Sequence, residues 1–474
     1  MQTSKSPKIA PYGSWKSPIT ANLIASGSIK FKDLQINDGN IYWLESRPGE
    51  KGRNAIMRRV GDNQPEQILP APFNARSKVH EYGGGAFLAH QGSIYFTNYS
   101  DQRVYCLQAS SDPVPLTEPA DFRYADMEMD QRRQRLIAVE EDHSNPANEP
   151  LNMLVAIDLS KEGKTAKLVS GNDFYAFPRL SPDSSQLCWL TWNHPRMPWE
   201  GTELWVSNIN RDGSLSEQKL LAGGPNESIF QPQWSPDGTL YFVSDRNNWW
   251  NIYRYQDDKI EPVIEMEAEF GLPQWVFNMS TYAFASAHQI ICAYTKHGNW
   301  HLAEIDLTRK SLQTIETAYT TLDQIRAKNG KAVFCGASPT HPTSLVELDV
   351  STKSTRVIRT TFELSFDRAY LSLPQTISFP TTNNQHAYGF LYSPRNPDYK
   401  TNENENPPLI VFIHGGPTGS TDTGLNLKIQ YWTSRGFAVL DVNYRGSTGY
   451  GRAFRELLKG QSGIVDVSDC VHGA

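Results

Sequence analysis

Cysteine is scarce in this chain: Cys106, Cys188, Cys292, Cys335 and Cys470 are the only five in 474 residues, with no C-x-x-C pair and no histidine at zinc-finger spacing. That argues against a disulfide framework and a cysteine zinc site, and it predicts reduced thiols in a cytoplasmic chain. No H-E-x-x-H occurs and the eleven histidines are scattered, which makes a metal-dependent hydrolase a distant third reading. No apolar run approaches the ~18–20 residues needed to cross a bilayer. The opening MQTSKSPKIAPYGSWKS has no apolar signal-peptide core, so neither membrane insertion nor secretion is expected. Neither sign of charge dominates: charged residues are 20%, the net charge is −6 and the pI is near 6.0. Nucleic acid and anionic membranes therefore have no electrostatic footing as partners.

What the chain does have is a repeat. Strand-like segments recur as NIYWLES from Asn40, SIYFTNY from Ser93, RLIAVEE from Arg135, QLCWLTW from Gln186, TLYFVSD from Thr239, QIICAYT from Gln289 and KAVFCGA from Lys331. Turn signals such as NDG, SPDSS, SPDG and KNG precede them, and second strand patterns (ELWVSNI, NIYRYQ, HLAEIDL, LVELDV) follow most of them. One turn and two to four strands per ~40–50 residues is the pattern of a propeller blade, which buries its faces only against neighbouring blades. Seven units predict a seven-bladed β-propeller; a large β-sandwich or two smaller β domains is the alternative. Trp43, Trp189, Trp205, Trp234 and Tyr241 read as packing between blades. Arg246, Trp249 and Trp250 are candidates for the pore, with packing at a blade corner the commoner role for a tryptophan pair.

The pattern changes near Tyr370. PQTISFPTTNNQHAYGFLYSP reads as a hairpin, TNENENPP as a solvated loop, LIVFI as a strand and LNLKIQYWTSRG as a helix ended by Gly436. FAVLDVNY is a further strand and DVSDCVHGA begins another helix. Antiparallel strands leading into βαβα open an α/β sheet. LIVFI is apolar throughout, which predicts a central strand covered on both faces. Its outer hydrogen-bonding edge is expected to be bare, an aggregation hazard. LIVFI empties into HGGPTG, where backbone amides could face a tetrahedral oxyanion. Hydrolase logic then calls for a serine on a G-x-S-x-G turn with Asp and His further along. Ser447, in R-G-S-T-G, and Ser462, in GQSGI, both lack that frame.

HEYGGGAF (80–87), NHPRMPWEGTELW (193–205), SPDGTLYFVSDRNNWWNIYRY (235–255), HGGPTG (414–419) and NYRGSTGYG (443–451), in this order, resemble the prolyl oligopeptidase family of serine peptidases, in its acylaminoacyl-peptidase-like or dipeptidyl-peptidase-like branch. The resemblance covers nearly the whole chain. It implies an amino-terminal extension over 1–29 packing on the hydrolase part or the first blade, a seven-bladed propeller over 30–365, and the first part of an α/β-hydrolase domain over 366–474. It also implies Ser-Asp-His acyl transfer on short peptides in the cavity between the two domains, with no cofactor and with self-association in some members.

Carried over by position, Gly416 supplies an oxyanion-hole backbone N–H, held by Gly415 and Pro417. His414 stands where other branches place a tyrosine donor, and a structural histidine is the favoured reading. Tyr444 and Arg445 are substrate-side candidates; for Arg445 a loop-tying ion pair with Asp441 or Glu456 is favoured. Glu140, Glu141 and Asp142 are candidates for capturing a free α-amine, against a solvated turn as the favoured alternative. With no triad in view, the chain is expected to be a fragment of a serine peptidase and inactive alone. The rival is a non-catalytic propeller scaffold with a vestigial hydrolase tail.

Overall fold

The computed structural model describes residues 6–109, 111–159, 164–402 and 405–474; residues 1–5 of the expected amino-terminal extension and two residues of the TNENENPP loop lie outside these. Among the described residues, seven successive four-stranded antiparallel sheets occupy 30–67, 87–115, 122–170, 174–223, 229–262, 282–315 and 321–360. Each recurring segment of the sequence is the second strand of its sheet, for example Asn40–Arg47, Gln186–Trp192 and Lys331–Ser338. These strands carry the largest sealed side chains, Trp43 at 0% and Trp189 at 1% exposure, because both of their faces are covered by neighbouring sheets.

The first strand of each sheet follows a different rule. In five sheets its pairing with the second strand is interrupted by a bulge, and the bulged residue has a positive φ: Asp33, Asp126, Phe177, Gln231 and Gln324. Four of these side chains reach the next sheet. Asp33 accepts the Gly85 and Ala86 N–H groups, both at 3.1 Å, and Asp126 accepts that of Phe177 at 2.7 Å. Gln231 accepts the Thr281 N–H at 2.7 Å and donates to the Tyr282 carbonyl. Gln324 accepts the Leu34 N–H at 3.0 Å and donates to the Phe31 carbonyl, joining the seventh sheet to the first. Phe31, Leu34 and Trp43 share one apolar cluster with Val333 and Leu345, and Arg59–Glu347 and Arg359–Glu45 ion pairs cross the same seam.

The remaining elements build a mixed sheet. Helix α1 (Ala21–Ala25), capped by Thr20, packs on α2 (Leu427–Thr433). Residues 8–9 pair with 399–400, and Trp15 is buried. The hairpin Pro374–Pro380 and His386–Tyr392 continues into Ala438–Asn443, which pairs in parallel with Leu409–Ile413. Helix α2 covers one face of this sheet; α3 (Arg452–Glu456) leads toward the other face, where α4 (Val465–Gly473) lies on Leu440 and Phe379. Among the described residues Leu409–Ile413 is an edge strand, as its expected bare hydrogen-bonding edge required, and its middle residues meet both layers: Ile410 and Phe412 pack with Ile429 of α2 and Val411 with Leu440 and Val465, while Leu409 and Ile413 at its ends are 38% and 51% exposed. No helix among the described residues is long and apolar enough to cross a membrane.

Helix α3 joins the mixed sheet to the fifth and sixth sheets of the ring. Asp245, 1% exposed, accepts from Arg452 at 2.8 Å and Arg455 at 2.6 Å. Arg455 also lies 4.0 Å over the ring of Trp250, which is wholly buried. Trp250 is therefore a packing residue, and Arg246 is tied to Glu227 at 2.7 Å. Glu269 accepts the N–H groups of Trp250 and Gly451 at 2.8 and 3.0 Å. Burial outweighs these donors and Arg455, and pushes the Glu269 carboxyl up to about 7.

Two outcomes follow from this junction. Asp245→Ala strands two buried guanidinium groups and is expected to destabilise the chain by about 3–5 kcal/mol, read from urea midpoints; a change below ~1 kcal/mol would mean that water reaches the junction. Because the folded Glu269 holds its proton above the ordinary carboxyl value of 4.5, its contribution is complete below that value and is lost as pH rises to about 7. Glu269→Gln should therefore flatten the stability profile between those limits, and an unchanged slope would assign the titration elsewhere.

Candidate active site

The edge strand Leu409–Ile413 delivers the turn 414–419 to the side of the mixed sheet that faces the ring. Gly416 has φ +67°, a backbone that favours glycine, and Gly419 N–H closes the turn on the Gly416 carbonyl at 2.8 Å. Gly415, Gly416 and Pro417 are exposed, and among the described residues the Gly416 N–H has no protein acceptor. An unpaired amide on an exposed tight turn is what an oxyanion donor requires.

The segment after Ala438–Asn443 holds this turn from behind. Tyr444 is buried and its ring stacks on His414, centroids 4.3 Å apart and 16° from parallel. His414 Nε2 lies 2.8 Å from Ser447 Oγ, and Nδ1 lies 3.2 Å from the Gly415 carbonyl. Nδ1 also lies 3.3 Å from the Tyr444 hydroxyl, so either neutral tautomer is satisfied: a proton on Nδ1 goes to the Gly415 carbonyl, and a proton on Nε2 goes to Ser447 while Nδ1 accepts from Tyr444. Both ring nitrogens are engaged within the chain. Burial holds the imidazole below its usual value, which keeps it neutral at pH 7. Thr448 donates from its N–H to the Gly419 carbonyl and from its hydroxyl to that of Thr418, at 3.0 and 2.7 Å. Asn443 grips both backbone polar groups of Thr421.

Arg445 is tied down, but by neither expected partner. It is 2% exposed and pairs with Asp469 of α4 at 2.8 Å, while its own N–H bonds the same carboxylate at 2.7 Å. Asp441 is instead bound by the Thr421 hydroxyl, and Glu456 by Arg452 at 2.7 Å. Arg445 therefore has no free face for a substrate. Ser447 is fully buried, whereas Ser462 is exposed on the turn after α3.

The acidic run is not a solvated turn. Glu140, Glu141 and Asp142 end the strand Arg135–Asp142, with Glu140 5% and Glu141 4% exposed. Successive strand residues point to opposite faces, so Glu141 points away from Glu140 and Asp142, which share a face. Glu141 is taken by the His80 N–H, His143 and Arg123 at 3.1, 2.7 and 3.3 Å. Burial raises Glu140, which shares a hydrogen bond with Tyr124. The residues that do reach the glycine turn are aromatic: a Cβ on Gly416 would lie 3.6 Å from Trp275, which packs against Trp199 and Tyr82 with centroids 4.3 and 5.5 Å away. Trp275 lies outside every strand, where the repeat gives it no signal.

The chain superposes on a puromycin hydrolase, a structure also solved in complex with PGG, with TM-score 0.92 and 35% identity, over 98% of this chain and 74% of that one. A puromycin-hydrolyzing peptidase of Mycobacterium tuberculosis gives the same values. The prolyl oligopeptidase family profile matches residues 423–474. The chain belongs to the prolyl oligopeptidase family. The acylamino-acid-releasing enzyme of Arabidopsis thaliana is 41% identical over 64 residues, 14% of this chain and 8% of that enzyme. The first curated relatives are thus matched over a small part of their length, and the family's acylaminoacyl-peptidase-like branch is where this chain falls.

The His414 arrangement gives a direct test. Its imidazole should titrate below the ordinary histidine value of 6.5, so that its contribution to stability is intact above that value and is lost as pH falls from there through the lowered one. A chemical-shift titration with a midpoint at or above 6.5 would contradict the buried, neutral ring.

Proposed function

We propose that the chain supplies the oxyanion-binding turn and the size-selecting propeller of a serine peptidase that acts on short peptides. The seven four-stranded sheets are the blades of one propeller over 30–365. Within the expected extension over 1–29, residues 8–9 pair with 399–400 and α1 packs on α2, which supports an extension lying on the first part of an α/β-hydrolase domain over 366–474. The observation that carries this reading is the Gly416 N–H, which has no protein acceptor among the described residues, on an exposed turn closed by the Gly419 N–H and braced by His414 and Thr448. Gly415 and Pro417 shape that turn, and His414, stacked on Tyr444 and bonded to Ser447, braces it. No cofactor is required for acyl transfer of this kind.

Support for peptide substrates comes from the puromycin hydrolase relatives, one of which was solved with PGG. Glu140, Glu141 and Asp142 are read as structural, because the Glu141 oxygens are already taken and Glu141 points to the face opposite Glu140 and Asp142. Free and acetylated amino termini should therefore be treated alike. Arg445 is read as a brace of α4. A Ser-Asp-His triad is assigned to no residues of this sequence, since Ser447 is sealed and Ser462 lacks the required turn. A cytoplasmic location fits the free thiols.

Two measurements test this. A fluorophosphonate probe should leave the chain unlabelled, and stoichiometric labelling of Ser447 or Ser462 would overturn the assignment. Fused to a carboxy-terminal segment bearing a G-x-S-x-G serine with its Asp and His, the chain should hydrolyse short amides. In that fusion Gly416→Pro, which removes the donor, should lower kcat about 10²–10³-fold; unchanged turnover would exclude Gly416 as the donor.

A further inference from the structure

Four cations gather on the face of the ring that meets the mixed sheet. That face is marked by the ends of the second strands: Asp245, just past the fifth sheet's, binds the arginines of α3, and a Cβ on Gly298, just past the sixth's, would lie 2.8 Å from the Tyr450 hydroxyl. First strands run antiparallel to second strands and so begin at this end. In the first sheet Lys30 and Lys32 begin the first strand, and in the second sheet Tyr99 follows the second strand, Ser93–Thr97. Arg76 and Lys78 lie between these sheets, where the Arg76 N–H bonds the Thr97 carbonyl at 3.0 Å.

Arg76 and Lys78 share one ring: the guanidinium carbon is 4.8 Å and the Lys78 Nζ 4.6 Å from the centre of Tyr99. Such contacts position a cation without consuming its hydrogen-bond donors. Burial first, and then the charges of Arg76 and Lys30, push the Lys32 ammonium below its ordinary value, while Asp33 acts the other way. The carboxylates of this region are engaged elsewhere. Glu81 and Glu141 pair with Arg123 at 2.7 and 3.3 Å, Asp101 accepts from Tyr105 and Asn98, and Asp33 accepts the Gly85 and Ala86 N–H groups. Among the described residues Lys30, Lys32, Arg76 and Lys78 form no ion pair, in a chain whose net charge is −6. Like charges held together without a counter-ion repel, and an anion among them relieves that repulsion.

The same segment leads toward the glycine turn. The Glu81 N–H closes on the Lys78 carbonyl at 2.9 Å and the Gly83 N–H on that of Val79 at 3.0 Å, and between them Tyr82, 63% exposed, packs on Trp275. Trp275 is the ring that a Cβ on Gly416 would meet at 3.6 Å. One turn and two aromatic rings therefore connect the cations to the amide.

We propose that Lys30, Lys32, Arg76 and Lys78 form a carboxylate site on this face of the ring, which takes the acidic group of a short peptide, with Arg76 and Lys78 as its principal donors. The proposal rests on the peptide-substrate reading above, but its test needs no turnover. The probes are N-acetyl-dialanine with a free carboxylate, the corresponding amide, N-acetyl-aspartyl-alanine amide and inorganic phosphate, each titrated against the intact 474-residue chain in low-salt buffer by calorimetry and saturation-transfer NMR. At least one of the two carboxylate peptides should bind about fivefold or more tightly than the dialanine amide, and the tighter of them identifies a terminal or a side-chain carboxylate as the group held. Raising the salt to about 0.5 M should remove most of that difference. Arg76→Gln and Lys78→Gln should each lower the preference, the double variant should abolish it, and Lys78→Arg should keep it. Should the changes at 76 and 78 impair folding, Lys30→Gln, at the exposed start of the strand, should lower the preference by itself.

Equal affinity for the acid and amide peptides, or a preference that survives the glutamine variants, would overturn the site. Phosphate binding lost in the double variant but unaccompanied by any preference for the acids would assign the cations to free anions and overturn the peptide carboxylate. Loss of the preference beside a fusion still sensitive to Gly416→Pro would remove the carboxylate site alone, and a preserved preference beside a fusion indifferent to Gly416→Pro would remove the oxyanion assignment alone.

Discussion

Asp245 holds the two halves of this structure together, and the glycine turn depends on it through one continuous segment. The carboxylate is sealed between Arg452 and Arg455, and Glu269 lies 3.8 Å from the second guanidinium. Two guanidinium groups on one carboxylate, with a second carboxyl that burial pushes up to about 7, are costly to assemble in a dry junction and costlier to leave incomplete. The junction is therefore an all-or-none fit. The same stretch, 443–456, carries Asn443 on Thr421, Tyr444 and Ser447 on His414 and Thr448 on the 418–419 backbone before it reaches Gly451 and the two arginines. Gly451 has φ +88°, a backbone that favours glycine, and Arg452 N–H donates to the Asn248 carbonyl at 2.7 Å, so the segment and the ring are in direct contact. A shift at the junction is transmitted along fourteen residues to the turn that presents Gly416.

How the sheets hold one another was only half legible in the sequence. The second strands were readable because both faces are buried and the apolar run is continuous. The first strands were not, because their bulges break the alternation and place Asp33, Asp126, Gln231 and Gln324 where their side chains cross to the next sheet. In the sequence these polar residues resemble turn residues. In the structure they are the links between sheets, and Gln324 fastens the seventh sheet to the first.

The site was legible in its glycines and illegible in its partners. HGGPTG pointed to an open backbone amide because close backbone approach needs residues without a Cβ. The partner of Arg445 was sought nearby, at Asp441 and Glu456, yet Asp469 on α4 takes it from twenty-four residues away. Proximity in sequence was a poor guide because the intervening turn brings α4 back across the sheet. The acidic run misled for a related reason. Charge suggested solvent, whereas strand geometry buries Glu140 and Glu141 on opposite faces and supplies each with a donor.

The loop 193–201 answers to two demands at once. Its carbonyls at Trp199 and Glu200 are acceptors for the arginines of α3, while its side chains at Met197 and Trp199 line a cavity of about 230 Å³ together with Pro417 and Leu458. Backbone changes there would disturb the junction and the cavity together. Side-chain changes at Met197 would alter the cavity alone, since its backbone N–H and carbonyl are satisfied within the loop. Met197 can therefore change without loosening the two halves, whereas Trp199, packed on Trp275 and buried to 6% exposure, is held by both the junction and the cavity. A fold that fastens its halves through the loop that also shapes the pocket confines variation to the few side chains pointing into open space.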